Sequence, residues 1–158
     1  VKGGEASPES EKAALDSMTR LNKEARDAAR DLMVHAATDV TGFSLSGHSL
    51  EVAENSGVTV EIDTKKVPLL PQAEELARFG FIPEGMYNNL DWVNGKVYYS
   101  PSIPLSIRDL MLDPQTSGGL LLFLPEKDGE TLVKRLNKDY VRIIGRVKEK
   151  GEYSVEFI

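Results

Sequence analysis

The sequence predicts an α/β domain, more closely α+β, with a mixed sheet layered by helices. Three observations lead there. Helical stretches with apolar residues every three or four positions interleave with short segments that alternate apolar and polar residues. Turn signals at Asn94-Gly95 and Lys150-Gly151 each separate two strand-like runs, which predicts hairpins and so a sheet that is not wholly parallel. One continuous apolar run, Leu120 to Leu124, reads as a strand covered on both faces.

The elements follow in order. Ser7-Pro8 supplies an N-cap hydroxyl and a first-turn proline, with Glu9 and Glu11 at the positive end of the helix dipole. Ala14, Met18, Leu21, Ala25, Ala28 and Leu32 then form one apolar stripe, on one helix or on two with a break near Thr19–Asn22, expected to pack on the domain surface. His35 to Thr38 is a short strand of small residues reaching Asp39, after which Thr41-Gly42 turns into a helix whose Phe43, Ser46, Gly47, Leu50 and Ala53 share a face. Two of those five are very small, so close backbone contact is expected there. Gly57 is placed to end this helix in a left-handed cap. Val58 to Ile62 alternates as a half-buried strand.

Downstream, a bend at Pro68–Pro71 precedes a short helix, Gln72 to Phe79, and Gly80 to Asn89 reads as a loop. Trp92-Val93 and Val97-Tyr98-Tyr99 make the first predicted hairpin, and Leu105 to Leu112 a further helix. Asp113-Pro114-Gln115-Thr116-Ser117-Gly118-Gly119 feeds the Leu120 strand. Asp128 to Lys138 is helical, Val141 to Val147 extended, and Tyr153, Val155 and Phe157 alternate in the final strand.

Composition narrows the function. The 158 residues suffice for one domain with a real core, and 41% hydrophobic with 28% charged residues is an ordinary globular balance. The net charge of −6 argues against a nucleic-acid partner, because phosphate binding rests on clustered Lys and Arg. Arg142, Arg146, Lys148 and Lys150 alternate with Ile143, Val147 and Glu149 like the wet face of a strand. With no cysteine there is no disulfide, thiolate metal site or Cys nucleophile in these residues. No apolar run reaches membrane-spanning length and no signal peptide opens the sequence, so no membrane partner and a cytoplasmic location are expected. Residues 1–7 begin with Val1 and read as a tether, with the domain at 8–158, as if this were a piece of a longer protein.

Two stretches carry chemistry. Asp39 sits where a strand hands over to a helix, with Thr38 and Thr41 able to fix its rotamer or cap the helix. It reads either as a turn or N-cap residue or as a partial oxygen ligand for a hard cation such as magnesium. Paired glycines before a buried strand, here Gly118-Gly119, either turn backbone N–H groups toward an anion or let another element pack very close.

Ala37-Thr38-Asp39-Val40-Thr41-Gly42-Phe43 with Gly47-His48 resembles a motif of the selenophosphate synthetases (selenide, water dikinases), as does Asp113 to Gly119 followed by Leu120-Leu121. Ser17-Met18-Thr19 with Leu21-Asn22 is similar to the family's first helix region. The resemblance implies the C-terminal domain of a two-domain enzyme of the aminoimidazole ribonucleotide synthetase superfamily, an α/β fold with partial ferredoxin-like topology. It further implies synthesis of selenophosphate, AMP and phosphate from ATP, selenide and water with Mg2+, in a homodimer built mainly by an N-terminal ATP-binding domain. Asp39 carries over as a Mg2+ ligand. Thr116, Ser117, Gly118 and Gly119 carry over as a loop shaping the ATP cleft, with phosphate contact the minor option, and no catalytic residue is assigned to this chain.

The alternatives are a relative of the purine, thiamine or hydrogenase-maturation type and a non-catalytic interaction module. Two positions depart from the family pattern. Ser44 stands where a small Gly or Ala is usual, and Pro83 to Asn89 carries Glu84 and Met86 in place of Gly and Thr, so that segment receives no chemistry. His48 is expected to be a hydrogen-bonded structural histidine, and His35 receives no role.

Overall fold

The computed structural model describes residues 4–158. The first three residues of the expected tether lie outside that range. Gly4 to Ala6 form no regular element, and Ser7 already caps helix α1 (Pro8–Thr19), its side chain accepting the Ser10 N–H.

A four-stranded mixed sheet carries the core. Its order is β3 (Val97–Tyr99), β6 (Val155–Phe157), β2 (Val58–Ile62), β5 (Gly145–Glu149). β6 runs parallel to both β3 and β2, whereas β5 is antiparallel to β2. Helices α3 (Ser44–Ser56), α5 (Glu84–Val93) and α6 (Leu105–Met111) bury Leu50, Met86, Val93 and Met111 against Val60, Ile62 and Phe157. Apolar burial of this kind is what stabilises the fold.

Several local expectations are met. Gly57 ends α3 at φ 64°, and β2 has the predicted limits. Ser46, Gly47, Leu50 and Ala53 are buried along one face of α3. Close packing there is real: a Cβ on Gly47 would lie 2.5 Å from the Trp92 ring. The break in the first helical stripe falls between α1 and α2 (Lys23–Ala28). Along β5, Arg146 and Lys148 both reach Glu61, and Lys148 also reaches Glu156, but the expected alternation is not seen, because Ile143 and Val147 are exposed as well.

Other expectations are corrected. Residues 84–93 are helix, not loop, because Met86, Leu90 and Val93 recur at helical spacing and pack inward. Trp92-Val93 is therefore the last turn of α5. Asn94-Gly95 links a helix to β3, with Gly95 at φ 75°, rather than closing a hairpin. The Lys150-Gly151 turn does not pair its flanks either, since β2 lies between β5 and β6. The sheet is mixed through its crossovers. The strand expected over Val141–Val147 begins only at Gly145, where β5 comes so close to the Glu61 carbonyl that no Cβ fits.

The expected stripe is only partly covered on α1: Ala14 is half-buried, but Met18 is exposed and Leu21, just beyond, is 75% exposed. Among the described residues α1 is held chiefly at its start, where the Ser7 N–H and the Ser10 hydroxyl donate to Gln72 Oε1 (2.9 and 2.7 Å), just before α4 (Ala73–Arg78). The Leu120 strand, β4 (Leu120–Phe123), is only half-buried. It pairs with one neighbour, β1 (Ala36–Asp39), in a separate two-stranded sheet, and is followed by α7 (Glu126–Leu136). Among the described residues no helix is long and apolar enough to cross a membrane.

Candidate functional site

The two motif stretches meet. β1 and β4 are antiparallel with Asp39 opposite Leu120, so Asp39 and the end of the 113–119 loop leave the small sheet side by side. Backbone hydrogen bonds then lace the two turns together. Val40 N–H donates to Gly119 O (2.9 Å), Gly118 N–H to Val40 O (2.8 Å) and Gln115 N–H to Thr41 O (3.1 Å). A side chain joins them: Asn89 Nδ2 donates to Gly42 O and to Leu112 O, both at 3.0 Å.

The two glycines have separate reasons. A Cβ on Gly118 would lie 2.9 Å from Val40 O, so this position needs close approach. Gly119 sits at φ 88°, in the region that L side chains avoid.

Asp39 itself is exposed. Its main-chain oxygen accepts the Thr38 hydroxyl at 3.1 Å, but among the described residues no hydrogen bond or ion pair engages its carboxylate. Thr38 therefore does not fix the carboxylate rotamer. Nor does Thr41 cap α3, because its hydroxyl is bonded to His48 Nε2 at 3.0 Å. Phe43 is instead the N-cap residue of α3 and gives no side-chain cap, and Ser44 takes φ 69° with its side chain fully buried. That is a conformation natural to glycine. Among the described residues no three acidic or histidine side chains converge to hold a metal. The donor set offers one free carboxylate, which suits a hard cation that keeps waters and takes its remaining oxygens elsewhere.

The profile of the family described as AIR synthase related protein, C-terminal domain, matches residues 1–158. The chain belongs to this family. It is 45% identical over 143 residues to a "Selenide, water dikinase" of Clostridium botulinum (strain Eklund 17B / Type B), covering 89% of this chain and 41% of that protein. Likewise, it is 45% identical over 158 residues to a protein of the same name from Caldanaerobacter subterraneus subsp. tengcongensis, covering 98% and 46%. A third, from Nitratidesulfovibrio vulgaris (strain DSM 19637 / Miyazaki F), is 48% identical over 104 residues, covering 66% and 30%. The chain thus spans less than half the length of these relatives.

In this AIR synthase related C-terminal domain the surroundings of Asp39 are built from buried polar groups. His48 is buried, with Nδ1 2.9 Å from Glu51 Oε2. A carboxylate only accepts, so Nδ1 carries the proton, and in the neutral ring Nε2 accepts the Thr41 hydroxyl. That is the structural role expected for His48. Phe43, 51% exposed, packs between His48 and Trp92 at centroid distances of 5.7 and 5.1 Å. His35 only extends the strand pairing, through its N–H to Phe123 O (2.9 Å).

Burial pushes the Asp113 carboxyl up to about 6, and the Gln115 side-chain amide donates to it. Pro114 rests on the first turn of α5, 3.0 Å from where a Gly85 Cβ would stand. Sequence reasoning placed Asp113 in the second motif without foreseeing its burial, and missed Asn89 as part of this assembly. Asn89 lay in a segment read as loop, and only its helical phase beside Met86 and Val93 could have marked it as inward-facing.

Proposed function

We infer that this chain is the C-terminal domain of a selenophosphate synthetase, contributing one Mg2+ ligand, Asp39, and a wall of the ATP cleft formed by the 116–119 loop. In the complete enzyme ATP, selenide and water yield selenophosphate, AMP and phosphate. The rest of the enzyme supplies the other phosphate-binding groups and most of a homodimer interface, and the reaction runs in the cytoplasm. The observation that carries this reading is the exposed carboxylate of Asp39, without a partner among the described residues, on a turn held by the 113–119 loop and by Asn89 of α5. The names of relatives 45% identical to the chain support the same reaction.

When bound, Mg2+ offsets the charge on the ATP phosphates, which otherwise repels an anionic nucleophile such as hydrogen selenide. Asp39 presents an oxygen donor for that ion without giving up a partner of its own. The Thr116-Ser117-Gly118-Gly119 loop keeps Asp39 in place through Val40, while Gly118, its N–H committed to Val40 O, lets the two turns touch.

The test is selenide-dependent ATP consumption by the complete enzyme. Asp39→Asn is expected to lower the rate by about 100-fold or more. The melting temperature should move by less than about 2 °C, because an exposed and unpartnered side chain contributes little to stability. Near-normal turnover by the variant removes the role. This chain alone is expected to show no selenide-dependent ATP hydrolysis.

A further inference from the structure

After Asp39 three successive carbonyls are each capped by a donor from elsewhere: Val40 O by Gly118 N–H, Thr41 O by Gln115 N–H, and Gly42 O by Asn89 Nδ2. The first two donors are main-chain amides of the neighbouring loop. The third is a side chain from α5, only 5% exposed, and its second N–H is spent on Leu112 O, the residue before Asp113. Both atoms facing the Asn89 amide nitrogen are carbonyl oxygens, which only accept, so the orientation of the amide is settled. Among the described residues Asn89 is thus the one side chain bonded both to the Asp39 turn and to the residue that leads into the 113–119 loop.

We propose that Asn89 is a positioning residue for metal binding, holding the end of the Asp39 turn against the start of the 113–119 loop so that the Asp39 carboxylate stays presented. This rests on the reading of Asp39 as a cation ligand. The physical reason is that among the described residues Asp39 has no side-chain partner to orient it, so its place is set by the backbone that carries it. A turn left loose must be ordered when the cation binds, and that ordering opposes binding. Groups that orient a ligand from behind typically change metal affinity by about 10–100-fold when removed.

The experiment compares Asn89→Leu, which removes both donors, and Asn89→Ser, which keeps a single hydroxyl donor on a shorter side chain, in the complete enzyme. Three readouts are taken: the Mg2+ concentration at half-maximal rate, direct Mn2+ binding, and amide hydrogen exchange at Val40 and Gly118 against Val60 in the core. Asn89→Leu is expected to raise the half-saturating Mg2+ and weaken Mn2+ binding about tenfold. The rate at saturating metal should stay within about threefold, and Val40 and Gly118 should exchange faster while Val60 does not.

Asn89→Ser should give a smaller shift in the same direction, and it decides alone if the leucine variant does not fold. Unchanged metal binding in a folded variant overturns the proposal, even with faster exchange, because Asn89 would then only hold structure. Asp39→Asn separates the two claims. If it weakens metal binding and the Asn89 variants do not, only the role of Asn89 falls. If Asp39→Asn itself leaves metal binding intact, the reading of Asp39 falls.

Discussion

The four-stranded and two-stranded sheets of this chain are held by different physics. In the first, β6 lies between two partners and packs against α3, with Val155 and Phe157 fully buried and Phe157 stacked on Tyr99 at 5.0 Å. In the second, β1 and β4 have one partner each and are half-exposed, and beyond them order comes from hydrogen bonds between the Asp39 turn and the 113–119 loop. A hydrophobic core tolerates no solvent-facing carboxylate, whereas a hydrogen-bonded turn can hold one in the open. The difference separates what keeps the chain folded from what it presents. Asn89 joins the two regions, reaching from α5 to Gly42 O, while the Ser46 hydroxyl ties α3 to Tyr99 (2.7 Å) and Met111 O (2.8 Å) within the first.

Substitutions in each region should break that contrast or sharpen it. Phe157→Ala is expected to cost about 3–5 kcal/mol in denaturant unfolding and to expose the whole molecule to hydrogen exchange. Gly118→Ala forces a methyl against Val40 O and should cost about 1–3 kcal/mol, with faster exchange confined to the Asp39 turn and β4. Equal loosening of both regions by Gly118→Ala would dissolve the distinction.

Asp113 gives a pH signature. Its folded value of about 6 lies above the ordinary 3.8, so the native state binds the proton more tightly. Its contribution is fully present below about 3.8 and is lost as pH rises through about 6. Asp113→Asn should therefore gain on the order of 1 kcal/mol relative to the parent between pH 4 and 7, discounted for the solvent that reaches a half-buried group. A constant difference across that range would refute the linkage.

Smallest is Ser44→Gly, expected to stabilise by about 0.5–1 kcal/mol because φ 69° costs an L side chain and not glycine. Thermal melting checks it.

What the sequence disclosed and what it concealed divide along range. Gly57, Ser7 and the alternation of Val58–Ile62 act within a turn or a strand, and each could be read directly. α5 was hidden because Gly85, Asn88 and Asn89 are poor helix formers, and tertiary burial of Met86 and Val93 overrides them. Both predicted hairpins failed for a related reason: β3 and β5 pair with strands remote in sequence, which a local turn signal does not reveal. At the site, Asp39 and the Gly118-Gly119 loop stood out as residue patterns. Their contact depends on β1 pairing with β4, and the clamp by Asn89 on a third element, so neither could be read from one stretch.

Whether Asp39 holds a cation is read by a Mn2+ titration of the complete enzyme with ATP, followed by electron paramagnetic resonance, in the parent and in Asp39→Asn. One bound ion is expected to be lost or weakened at least about tenfold in the variant while the fold is unchanged. Identical ion number and affinity in the two proteins would contradict it.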